Sequence, residues 1–195
     1  LKHINLKKAS EKIRKELEKD SSEDISLADI KQNIADLKEV PFAHLHNHSQ
    51  FSILQSTSST QDLVKAAAEN NMPALAITDT GNMMGAFHFV KAVANHNAKI
   101  TKEAEEKEET PQLIKPIVGC EFFVCEDRTN KNTKDHGYQV VFLAKNKNGY
   151  HNLAKMASIS YTEGFYYVPR IDKEVVEKYK EDLIVLTGSL YGEVP

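Results

Sequence analysis

Three features of the sequence predict an α/β fold. From residue 42 onward, short apolar runs of strand length alternate with segments of helical periodicity. Polar residues able to bind metal or carry protons, His46, His48, Asp79, Glu121 and Ser189, fall within or at the ends of those runs. The chain has 195 residues and 41% hydrophobic content, enough for one domain with a real core and an appendage. Such alternation predicts a parallel sheet or a barrel. In barrels of this kind the chemistry gathers at the C-terminal ends of the strands.

Residues 1–40 stand apart, with no Gly, Pro or aromatic residue and many Lys, Glu and Asp. Leu27, Ile30, Ile34 and Leu37 recur at helical spacing, and Ser26 with Asp29 resembles a capping box. Ile13 and Leu17 suggest a second short helix. A helical extension is expected, packed on the main domain, frayed, or engaging a partner. Pro41 closes it. In the main domain "FAHLHN" reads as a strand and 60–71 as a helix ending before Met72-Pro73. "ALAITD" (74–79) is a strand ending in an acid, and 83–96 is a helix. Residues 98–112, "AKITKEAEEKEETPQ", form a charged insertion near the surface, helical or mobile. "IKPIVGCEFFV" (114–124) and "YQVVFLAKN" (138–146) read as strands, 148–161 and 173–180 as helices, and "LIVLTGS" (183–189) as a strand. "GFYYVPR" (164–170) reads as a loop over a barrel rim. Its alternative role is to stack aromatics and Arg170 on single-stranded DNA.

A net charge of −3 argues against strong nucleic-acid binding by the global field. No apolar run is long enough to span a bilayer, and no signal peptide is evident. Cys120 and Cys125 are too few for a disulfide framework and read as core thiols, which suits a reducing cytoplasm. The chain begins at Leu1 and stops at "YGEVP" directly after a strand-like run, as expected of a piece of a longer protein.

The stretch "HLHNH" places His44, His46 and His48 on one face if it is extended, because side chains alternate along a strand. Imidazoles on one face suit a metal ion, although single histidines more often pack or stay exposed. Asp79 and Glu121 add carboxylates at the ends of two other strands. His/carboxylate clusters of this type bind Zn, Mn or Fe, activate water and stabilise phosphoryl oxygens.

"HLHNHSQFS", "MPALAITDTGNMMGAFHF" and "IKPIVGCEFFV", in that order, resemble the polymerase and histidinol phosphatase (PHP) domain. "FLAKNKNGYHNLAKMAS", "YTEGFYYVPRID" and "LIVLTGSLYGEVP" narrow the resemblance to the PHP domain of bacterial DNA polymerase III alpha subunits. The resemblance covers 42–195 apart from the insertion. It implies a distorted (β/α)7 barrel, here truncated at its C-terminus, with a cluster of up to three metals. In active members that cluster supports phosphoesterase or 3′–5′ exonuclease chemistry. His46, His48, Asp79 and Glu121 match family ligand positions. Gln55, Thr80, Gln139 and Ser189 stand where the family carries aspartate, histidine, histidine, and cysteine or histidine. All four are neutral, and a multinuclear cation cluster needs anionic and imidazole ligands.

The resemblance therefore implies a degenerate, structural site in a DNA-directed DNA polymerase whose active site lies outside this chain. Weak Mn or Zn binding is expected here, with Mg serving the polymerase core. The implied partners are the rest of the alpha subunit, replisome subunits and, through the polymerase, DNA; no membrane is implied. The alternatives are an active proofreading exonuclease and a small-molecule phosphatase resembling histidinol phosphatase. His44 is expected to support the ligands from behind or to pack in the core, and His136 to offer a substitute ligand if its loop shifts register. His88, His96 and His151 read as surface or packing residues.

Overall fold

The computed structural model describes residues 40–187 and 191–193. The helices expected within 1–40, and Ser189, lie outside the described residues. The elements are α1 (Thr60–Glu69), β1 (Ala74–Ile77), α2 (Ala86–Lys107), β2 (Lys115–Cys125), β3 (Tyr138–Ala144), α3 (Lys147–Thr162), β4 (Arg170–Asp172), α4 (Lys173–Tyr179) and β5 (Leu183–Leu186). Local chemistry sets the helix starts. Ser59 Oγ accepts from the Asp62 amide at α1, Asn146 accepts from the Asn148 and Gly149 amides at α3, and Asp172 accepts from the Val175 amide at α4.

The sheet is mixed and, among the described residues, open. β2 is its hub. Its first half pairs in parallel with β1, its second half pairs antiparallel with β3, and its last residues pair in parallel with β4. β5 pairs antiparallel with β3. The expectation of a parallel sheet thus fails at β3. No crossover helix separates β2 from β3, only the loop 126–137, so the chain turns back on itself.

Alternation along β2 sorts its side chains. Cys120, Phe122 and Val124 join Phe142, α3 residues Leu153 and Met156, and Ile171, Val175 and Leu183 in one core. Complete burial of a ring such as Phe122 contributes about 1.5–3 kcal/mol. On the opposite face Val141, Leu143 and Ala76 form a smaller cluster backed by Ile117 and Leu186. Glu121 alternates with the large core and belongs to this second face. α1 and α2 cover the other side of β1 through Val64, Ala67, Leu75, Ile77, Phe89 and Val93.

Three local expectations are changed or sharpened. "FAHLHN" forms no laddered strand; only His44 bridges Leu75. The amides of Asn47 and Ser49 instead donate to the side chains of Thr78 (2.9 Å) and Asp79 (2.7 Å), which diverts them from a β ladder. The charged insertion is largely the continuation of α2, which runs to Lys107 and buries Ala104. Its exposed face carries a Lys99–Glu103 pair at i, i+4 spacing. "RID" forms the short strand β4. No described helix is long and apolar enough to cross a membrane.

Candidate metal centre

β1 continues beyond Ile77 in the same register against β2. The Glu121 amide donates to Asp79 O at 3.1 Å, the Gly81 amide donates to Glu121 O at 2.7 Å, and Thr80 bridges Glu121. The site therefore sits at the C-terminal end of β1, where the fold class places chemistry. The segment His44–Gln55 lies across this end. Thr78 donates its amide to Asn47 O at 2.8 Å, and Ser56 Oγ donates to His48 O at 2.9 Å.

His46, His48 and Glu121 come together, with one possible ligand atom from each lying within 4.8 Å of the others. His46 Nε2 donates to Glu121 Oε2 at 2.9 Å. His48 Nε2 lies 3.6 Å from the same oxygen and is buried without a hydrogen-bond partner. The two rings meet edge to face with centroids 5.2 Å apart. Glu121 is 2% exposed. Its burial pushes the carboxyl up, but the bond from His46, the neighbouring His48 imidazole and its charge, and Thr80 together outweigh that and bring it down to about 2. The Glu121 carboxylate raises His48, against the opposing effect of burial; Asp79 adds to the rise.

Asp79 is held differently. It is buried, and both carboxylate oxygens are occupied: Oδ1 accepts from the Ser49 amide (2.7 Å) and Ser52 Oγ (2.7 Å), and Oδ2 from Ser49 Oγ (2.8 Å). Sequence reasoning missed Ser49 and Ser52. Their spacing on "SQFS" was a signal only once Asp79 was known to face them.

Of the substituted positions, Thr80 and Gln55 join the site. Thr80 Oγ1 lies 3.0 Å from Glu121 Oε1 and 2.8 Å from Gln55 Oε1. One hydroxyl proton cannot serve both acceptors, so the Gln55 amide turned to donate into Thr80, with Thr80 donating to Glu121, satisfies all three groups. Gln139 pairs with Phe123 in the β2–β3 ladder and so shares Glu121's face, two pairs along; its amide donates to Tyr191 O at 3.1 Å.

His44 is exposed and packs edge-on against Phe42. His136 stands outside the group, 5.9 Å from the Tyr167 ring. His88 stacks on Phe51, His96 is half-buried and His151 is exposed. Cys120 and Cys125 are buried free thiols; burial pushes both up, Cys120 strongly. Arg170 cannot face DNA. It is 0% exposed, and its guanidinium donates to the carbonyls of Gly164, Asp135, Arg128 and Asn130.

The residues present fit one cation. The buried, unpartnered His48 Nε2 faces Glu121 with room between them for an ion coordinated at about 2.0–2.2 Å. Among the described residues they do not fit a cluster of several, because Thr80, itself bonded to Gln55, caps the other Glu121 oxygen and the serines occupy Asp79.

Together the α/β sheet, open among the described residues, and the two-histidine, one-carboxylate group beyond the end of β1 define a protein with a candidate cation site. The chain belongs to the PHP domain family, whose model matches residues 44–195. It is 38% identical over 163 residues to the DNA polymerase III subunit alpha of Treponema pallidum, covering 82% of this chain and 13% of that protein. It is 40% identical over 164 residues to the Thermus aquaticus subunit, covering 80% and 12%. It thus spans little more than a tenth of these relatives' length. A crystal structure of a candidate metal-dependent phosphoesterase from Bifidobacterium adolescentis aligns with a TM-score of 0.37 and 16% identity, covering 62% of this chain and 33% of that one.

Proposed function

We propose that this chain serves as the PHP domain of a bacterial replicative DNA polymerase, the DNA polymerase III alpha subunit, and supports it structurally without hydrolysing phosphoesters. The names of the relatives support the first part. The observation that carries the second is the neutral closure of Glu121 by Thr80 and Gln55, where the family pattern would place a histidine and an aspartate. A hydrogen-bonded polar site of this kind is complete without several cations. Asp79 works with Ser49 and Ser52 to anchor the 49–52 turn on β1.

His46, His48 and Glu121 are the residues that would hold a single Mn or Zn ion. Such an ion, when bound, supplies Lewis acidity and lowers the pKa of a bound water. The distorted (β/α)7 barrel of this reading needs strands beyond the five described. Mg-dependent nucleotidyl transfer belongs to a polymerase core elsewhere in the longer protein. That core, replisome subunits and DNA held by the core are the partners, in the cytoplasm.

A proofreading 3′–5′ exonuclease is the second reading, favoured by the unpartnered His48 Nε2 beside Glu121. The test is degradation of a 5′-labelled primer by this chain, and by a longer polymerase protein containing it, with and without Mn, beside His46→Ala. No Mn-dependent degradation is expected. Mn-dependent degradation that disappears in His46→Ala overturns the structural reading and establishes the exonuclease.

A further inference from the structure

The end of α3 and the turn from it to β4 display aromatic rings that no core cluster absorbs. Tyr161, Phe165 and Tyr167 are 49%, 47% and 66% exposed. Tyr161 and Phe165 lie nearly parallel, 17° apart with centroids at 6.1 Å. Tyr167 sits at the tip, where the Tyr166 amide closes the turn by donating to Val168 O at 3.1 Å. Its φ is 63°, a left-handed conformation that disfavours a residue with a Cβ. Behind it, Tyr166 packs edge-on at 4.7 Å and is itself backed by the buried Arg170 guanidinium at 5.2 Å.

The same cluster leaves His136 Nε2 buried without a partner, 5.9 Å ring to ring from Tyr167. A left-handed tip and an orphaned imidazole nitrogen in one place are both features that stability alone disfavours. The charge beside the ring is cationic. Lys134 Nζ lies 5.6 Å from the Tyr167 centroid. Among the described residues neither Lys134 nor Lys131 has an ion-pair partner, whereas Arg128 is already held by Glu163, Asp172 and Glu174. The nearby Asp135 carboxylate is spent on the amides of Glu126 and Gly137. The turn adjoins the candidate metal centre, since a Cβ on Gly81, next to Thr80, would meet Pro169 at 2.6 Å.

We propose that Tyr167, presented by this turn beside Lys134, is a stacking contact for single-stranded nucleic acid, with the bases on the exposed rings and phosphate near Lys134. A flat base suits a displayed ring and tolerates any sequence, while the cation follows the backbone. The choice of ligand rests on the polymerase reading, but the contact itself requires no metal.

The test is fluorescence anisotropy of a labelled oligothymidylate of about 12 nucleotides with the full chain, in EDTA and about 50 mM salt. Saturable binding is expected, weakened at least about fivefold by Tyr167→Gly and retained in Tyr167→Phe. Lys134→Gln should make the salt dependence shallower. Thermal unfolding of Tyr167→Gly should show no loss of stability, because glycine relieves the left-handed strain. Absence of binding by the native chain, equal binding by Tyr167→Gly, or a fall in its melting temperature would each overturn the proposal; the last would make the ring a structural clasp. Loss of oligonucleotide binding with no primer degradation leaves the structural reading of the metal centre standing, so the two fail separately.

Discussion

Replacing Glu121 with glutamine tests the electrostatics at the centre of the site. The carboxylate is buried, accepts from His46 at 2.9 Å and faces His48 at 3.6 Å. Its folded value of about 2, against an ordinary 4.5, corresponds to about 3 kcal/mol of stability above the ordinary value. Screening at the partly exposed imidazoles lowers the expected measurement to about 2 kcal/mol. The sign follows from linkage. The Glu121 contribution is present above pH 4.5 and is lost as pH falls toward about 2. The His48 contribution has the opposite sense: it is full below 6.5 and is lost as pH rises through its raised folded value. The pair is therefore strongest between about pH 4.5 and 6.5. Urea unfolding of both proteins in EDTA should show Glu121→Gln destabilised most near pH 5.5, less at pH 8, and converging with the native chain near pH 2. A variant as stable as the native chain at pH 5.5, or a deficit that grows toward pH 8, would refute the reasoning.

Arg170→Met strands four carbonyls that the guanidinium now satisfies. It should cost about 3–5 kcal/mol, seen as a melting temperature roughly 8–16 °C lower; Arg170→Lys, with one ammonium for the fork, should not rescue it. Ala104→Glu should destabilise by more than about 2 kcal/mol because Ala104 is buried, while Glu105→Ala on the exposed face should change urea stability by under about 0.5 kcal/mol. Gln55→Asp and Thr80→His together should raise Mn affinity measured by calorimetry, while Gln55→Asp alone should do little, since Gln55 touches Thr80 and not Glu121 and the Thr80 hydroxyl still caps the Glu121 oxygen.

The two candidate ligand histidines were legible because spacing alone puts His46 and His48 on one side of an extended segment, and that holds even though the segment never joins a ladder. The failed strand has a chemical cause invisible to periodicity: Thr78 and Asp79 side chains capture the amides of Asn47 and Ser49. Arg170 illustrates the converse. A cation beside three aromatics reads as a nucleic-acid contact, yet the 126–137 loop and Gly164 offer it four carbonyls, and it ends fully buried. β4 has three residues, too few for any period to register, and is fixed by pairing with Phe123–Cys125. The charged half of α2 gave no apolar stripe because it buries little beyond Ala104. The antiparallel turn at β3 was hidden for a different reason: apolar strand content is similar for either direction, and only the missing crossover helix distinguishes them.

Metal stoichiometry tests the central claim most directly. The chain would be dialysed against Mn or Zn without chelator, separated from free ion, and its metal measured by elemental analysis. Binding of no more than one ion per chain, abolished in His46→Ala, is the predicted result, because among the described residues only His46, His48 and Glu121 converge while Thr80, Ser49 and Ser52 occupy the remaining oxygens of Glu121 and Asp79. Two or three tightly held ions per chain would contradict the account.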